Sequence, residues 1–179
     1  MEESIGELNA SRPLASRPFQ ALCYAPFSQL HFTPDGAVAV CSKSTHRILG
    51  NIKEHRILDL WHGPAMATIR ETLRQGAFAP GCDYCEQHLR RQNIRNNPLL
   101  DFDTIPAHAD GAWPSRLEFA FSDLCNLACV HCSPELSSVL RARAGMARRP
   151  RVYDDAFFGQ IEAFLPHVQS ISFLGGEPF

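Results

Sequence analysis

Seven cysteines constrain this chain more than any other feature. They are Cys23, Cys41, Cys82, Cys85, Cys125, Cys129 and Cys132. An odd count in two close-spaced groups favours metal binding over a disulfide framework. The opening residues, MEESIGELNASRPLASRPF, lack a basic stretch followed by an apolar one, so they do not read as a secretory signal. The expected setting is therefore cytoplasmic, where thiols stay reduced and structural disulfides are rare. A free-thiol role for one or two of the cysteines stays open.

The 179 residues are 45% hydrophobic, enough to bury a core in one domain or two small ones. A formal net charge of −2 argues against a protein built to coat nucleic acid or an anionic membrane. No apolar run is long enough to cross a bilayer.

The cysteines fall into two blocks. Residues 27–41, FSQLHFTPDGAVAVC, alternate apolar and polar positions around Pro34-Asp35-Gly36, which is a hairpin signal. Ile57, Leu60 and Trp61 then suggest a helical turn. Pro64 opens a second helix with Met66, Ile69 and Leu73 on one face, and Gly76 ends it. Cys82 and Cys85 stand at the mouth of a third. Residues 96–114 hold prolines and little periodicity and read as a linker or wrapping loop. Arg116 begins a buried strand that runs straight into the second cysteine group. Residues 133–143 read as helix, 155–165 as a helix with one apolar face, and 170–174 as a second strand. This strand–loop–helix–strand rhythm is that of a βαβ unit with parallel strands. The expected domains are a flexible leader over 1–18, a cysteine module over 19–95, a linker over 96–114 and an α/β unit over 115–179.

Cys125, Cys129 and Cys132 are spaced Cys-x3-Cys-x2-Cys. A loop of that spacing can give three irons of a cubane a thiolate each and leave the fourth open to a ligand. Zinc on the three cysteines plus His131 is the competing reading. Gly175-Gly176-Glu177-Pro178 follows the second strand, and its glycines allow close backbone approach to a ligand. Together these motifs resemble the radical S-adenosylmethionine (SAM) enzymes. The resemblance implies the first two strands of a partial (β/α)6 barrel. It implies a [4Fe-4S] cluster on Cys125, Cys129 and Cys132 that binds SAM and cleaves it reductively to a 5′-deoxyadenosyl radical. It also places Gly175, Gly176, Glu177 and Pro178 at the SAM amino group and His131 near the adenine by packing.

Upstream, Cys23, Gly36 and Cys41 fit Cys-x12-Gly-x4-Cys, with Cys82-x2-Cys85 after them. Four cysteines can fully ligate a second [4Fe-4S] cluster or a zinc ion. His46, His55 and His88 are possible substitute ligands. The spacing, the hairpin and the run from Gly50-Asn51-Ile52 to Leu60-Trp61 resemble SPASM and twitch modules, which carry auxiliary clusters. Two departures stand out: the module precedes the α/β unit, and no later cysteines supply a second auxiliary cluster. The resemblance implies a peptide or protein substrate and an electron donor such as flavodoxin or ferredoxin, with neither nucleic acid nor membrane as partner. Only two barrel strands fit after Arg116, so a truncated sequence is expected. A non-catalytic zinc- or iron–sulfur-binding interaction module is the alternative.

Overall fold

The hairpin forms where Pro34-Asp35-Gly36 places it. In the computed structural model, which describes residues 1–12, 20–44 and 47–176, β1 (Gln29–Phe32) and β2 (Ala37–Ala39) pair antiparallel. Gly36 takes φ +83 at the turn, and its N–H donates to the Thr33 carbonyl at 3.0 Å. β3 (Ile48–Asn51) continues the meander along β2.

Helices follow the apolar spacing. α3 (Ile57–His62) buries Ile57, Leu60 and Trp61, and α4 (Pro64–Arg74) buries Met66, Ile69 and Leu73. Pro64 sits in the first turn of α4, where its missing N–H costs nothing. α5 (Asp83–Arg90) starts directly after Cys82. In the second block, β4 (Arg116–Phe119) leads into the triple-cysteine loop, followed by α6 (Ser138–Arg143), α7 (Asp155–Glu162) and β5 (Ser170–Phe173). The Asp154 carboxylate caps α7 by accepting from Phe157 N–H at 3.0 Å.

β4 and β5 are parallel neighbours, as a βαβ unit requires. The other edge of β4 is also taken. β1 pairs parallel to it, with Leu30 opposite Leu117 and Phe32 opposite Phe119. The result is one open, mixed sheet in the order β3-β2-β1-β4-β5. The described strands form no closed barrel, and the two cysteine blocks share a single sheet. Phe32, Phe119 and Phe157 meet on its packed face: Phe32 stacks on Phe119 at 5.0 Å between ring centres and meets the edge of Phe157 at 5.6 Å.

Three expectations change. Residues 2–10 of the leader are helical (α1, Glu2–Ala10; the four-residue α2, Ala25–Ser28, follows), because Leu8 finds a fully buried site. Just beyond α1, Arg12 forms a two-pronged pair with Asp103, at 2.7 and 2.6 Å. The 96–114 stretch carries an unforeseen 3-10 helix, Pro98–Thr104, which buries Leu99 and Phe102. Asn97 accepts from Leu99 N–H at its start and donates to the Cys85 carbonyl at 3.0 Å. The helix expected from residue 133 begins only at Ser138, where the Ser137 hydroxyl caps it and the Ser138 N–H is held by the Asp123 carbonyl at 2.6 Å.

Candidate functional site

The four upstream cysteines arrive from different elements. Cys23 precedes α2, Cys41 follows β2, Cys82 caps α5 and Cys85 lies in its first turn. All four line one pocket, with apolar walls that include Val40, Ile69, Leu73 and Phe102. Gly81 makes the close approach possible. It takes φ +90, and a Cβ there would lie 2.6 Å from Arg47 Cβ and 3.0 Å from Ser44 Oγ. The loop after β2 is turned by the Ser44 N–H donating to the Cys41 carbonyl at 3.0 Å.

Burial governs the acidity of these thiols. It pushes Cys41 up to about 12 and Cys85 up to about 11, and it raises Cys23 and Cys82 as well. Repulsion between the neighbouring sulfurs adds to the effect: Cys23 feels Cys41, Cys85 and Cys82. A metal cation removes both penalties by sharing the charge. The donor set therefore fits a metal group that takes four thiolates in an apolar pocket. Among the described residues, no three or more His, Cys, Asp or Glu side chains are placed to hold a single metal ion. Four thiolates of this kind suit a [4Fe-4S] cluster or a tetrahedral zinc ion. Of the proposed substitute ligands, His55 lies near Asn51, its Nδ1 3.4 Å from the Asn51 carbonyl, and His88 contacts Tyr84 and Asn93. His46 lies outside the described residues.

Cys125, Cys129 and Cys132 occupy the loop at the C-terminal end of β4, all three half-buried. Serines tie the loop to α6. Cys125 N–H donates to Ser138 Oγ at 3.0 Å, Ser138 Oγ donates to the Cys125 carbonyl at 3.1 Å, and Ser137 Oγ donates to the Leu127 carbonyl at 3.1 Å. The Leu127 N–H points at Cys125 Sγ, 3.4 Å away. His131 is exposed on this loop. The two glycines after β5 lie against the same loop. Both have positive φ, +76 at Gly175 and +57 at Gly176, and a Cβ on Gly176 would run into the Leu124 carbonyl oxygen. Gly176 N–H donates to the Leu136 carbonyl at 3.3 Å. Glu177 and Pro178 lie outside the described residues.

Between the two regions is a buried polar contact with no motif to announce it. His31 on β1 faces Glu118 on β4, with Nδ1 3.1 Å from Oε1 and both side chains almost fully enclosed. Burial raises the Glu118 carboxyl, but His31, Ser42 and Arg116 outweigh it and the net shift is downward. Only the parallel pairing of β1 with β4 makes these residues neighbours.

Residues 23–86 match the SPASM family, described as an iron-sulfur cluster-binding domain. This stretch is therefore a SPASM-like domain, and it contains all four upstream cysteines. No curated protein and no solved structure matches the chain. No described helix is long and apolar enough to cross a membrane.

Proposed function

We propose that this is an iron–sulfur protein whose SPASM-like domain holds a [4Fe-4S] cluster on Cys23, Cys41, Cys82 and Cys85. One observation carries the reading: four cysteines from separate elements line one apolar pocket inside the residues that match a cluster-binding domain. The protein's own contribution is to supply four thiols, exclude water through the aliphatic wall and hold the Cys85 backbone through Asn97. Anaerobic reconstitution with iron and sulfide tests this. About four irons per chain lost on Cys41→Ala with Cys85→Ala is the expected result. Tightly bound zinc with no brown chromophore would establish the zinc module instead.

A specific contact supports a second metal group and a catalytic role. Gly175 and Gly176 lie against the Ser122 and Leu124 carbonyls, at the base of the triple-cysteine loop. Those glycines open one of the two motifs that resemble radical SAM enzymes, and the cysteine loop is the other. Under this reading Cys125, Cys129 and Cys132 hold a [4Fe-4S] cluster, and the protein is a radical SAM enzyme acting on a peptide or protein. A bound cluster of this kind supplies the electron that cleaves SAM to methionine and a 5′-deoxyadenosyl radical. The electron donor would be a flavodoxin or ferredoxin, in a cytoplasmic setting. The chain's part is positional: Ser137 and Ser138 pin the loop to α6, and the two glycines let the end of β5 close against the base of that loop. Dithionite-dependent formation of 5′-deoxyadenosine, abolished by Cys129→Ala, is the expected outcome. Full iron loading with no such product would leave a non-catalytic cluster-binding module.

A further inference from the structure

Arginines crowd the end of α6 and the segment after it, where charge alone reads as a solvated loop and helix end or as a seat for a carboxylate or phosphate. The fold gives four of them a common cleft. Arg141, Arg148, Arg149 and Arg151 line a cavity of about 860 Å³ together with Ser122, Asp123 and Leu124. Those three residues directly precede Cys125. Apolar and aromatic side chains also line it, Phe121, Val139, Met146 and Phe158 among them.

The four guanidiniums are not equivalent. Asp123, only 4% exposed, lies 3.8 Å from Arg141 Nε and 3.6 Å from Arg149 Nε. Arg141 also donates to the Ala147 and Pro134 carbonyls, and Arg149 to the Glu135 carbonyl. These two are held by the protein. Arg148 and Arg151 are exposed at the cleft, and among the described residues neither has an ion pair or hydrogen bond. The cleft's other carboxylates are Asp154, engaged in capping α7, and Asp155. Four cations therefore meet three acids, one of them shared between two arginines.

We propose that this cleft binds a carboxylate carried on an apolar or aromatic body, with Arg148 and Arg151 receiving the carboxylate and the apolar wall receiving the body. Guanidinium forks match a planar carboxylate, and a cavity of this size suits a small organic molecule or a few residues of peptide. A polyphosphate chain fits less well: Asp154 and Asp155 stand among the lining residues, and half of the wall is apolar. Calling the ligand a substrate rests on the reading of the neighbouring loop as a reaction centre; the binding does not.

The test uses the full, anaerobically reconstituted chain and no turnover. Anisotropy of labelled, C-terminally amidated Phe-Glu-Phe-Glu-Phe is compared with that of its equally amidated glutamine counterpart. The glutamate peptide should bind about tenfold tighter, and Arg148→Gln with Arg151→Gln should erase the preference. Arg143→Gln, which removes an exposed charge outside the cleft, should retain it. Far-UV circular dichroism verifies that the variants are folded. N-acetylphenylalanine and its amide as competitors separate the two sources: displacement by the acid alone shows that a free small acid suffices, and no displacement shows that peptide context is needed. Equal binding of the two peptides, or the same loss with Arg143→Gln, would overturn the proposal. So would displacement of the glutamate peptide by inorganic phosphate, or by SAM, at concentrations where N-acetylphenylalanine acts. A retained glutamate preference in protein that never cleaves SAM would leave the cleft standing and remove the reaction centre.

Discussion

Glu118 and Gly176 show how single residues couple the sheet to the cysteine loops. Glu118 has a net lowered carboxyl pKa: burial opposes ionisation, while His31, Ser42 and Arg116 favour it more strongly. A carboxylate whose folded value lies below its unfolded value, about 4.3 for glutamate, stabilises the fold above that unfolded value. That contribution disappears as pH falls through the lower folded value. Glu118→Gln should therefore flatten the acid limb of the stability–pH curve below about pH 4, as read by urea midpoints across pH. An acid limb identical to that of the wild type would mean that His31 and Glu118 do not interact. Gly176 acts through shape. Its φ of +57 and its contact with the Leu124 carbonyl leave no room for a side chain. Gly176→Ala should displace the base of the 125–132 loop and remove about four of about eight irons after reconstitution, with the SPASM-like site still loaded.

At the scale of elements, local chemistry was legible and distant pairing was not. Pro34-Asp35-Gly36 announced the β1–β2 turn, and Met66, Ile69 and Leu73 announced the buried face of α4. The four upstream cysteines could be grouped by spacing, and the structure places them around one pocket. Nothing in the composition of Gln29–Phe32 or Arg116–Phe119 could reveal that the two strands lie side by side, because register between distant strands depends on the whole core. The same limit hid α1, whose apolar content is slight and whose helix is completed by burial of Leu8 and by the Arg12–Asp103 pair beyond it. The arginine cleft was half legible: the run of cations allows a carboxylate seat, but only the fold sets Phe121 and Asp123 beside it. β4 is the element on which these contacts converge. Phe119 stacks on Phe32 of β1, on Phe121 and on Phe173 of β5. Phe119→Ala should cost about 3–5 kcal/mol, measured by urea unfolding, and a cost below 1 kcal/mol would show that these rings do not form the shared core.

For the molecule as a whole, the mixed sheet makes the SPASM-like domain and the triple-cysteine unit one folding body. Three kinds of contact cross between the blocks. β1 pairs along its full length with β4, Ile57 N–H donates to Gln160 Oε1 across 103 residues, and the Tyr153 hydroxyl donates to the Thr33 carbonyl across 120. Removing either block would leave β1 or β4 with an unpaired edge and strip the cover from Leu30 and Leu117, both fully buried. Cooperative unfolding follows from that geometry. Trp61 in α3 reports on the upstream block, where its indole N–H donates to the Gly111 carbonyl at 2.9 Å; Trp113, stacked on His167 at 4.3 Å, reports on the downstream one. With Trp113→Phe and Trp61→Phe isolating each signal in turn, both fluorescence transitions should share one urea midpoint with far-UV circular dichroism, each variant compared with its own dichroism curve. Two separated midpoints within one variant would show that the blocks fold independently. A single midpoint would mean that loading a metal into the upstream pocket also raises the stability of the loop that carries Cys125, since a ligand bound only by the folded state stabilises every part that unfolds with it.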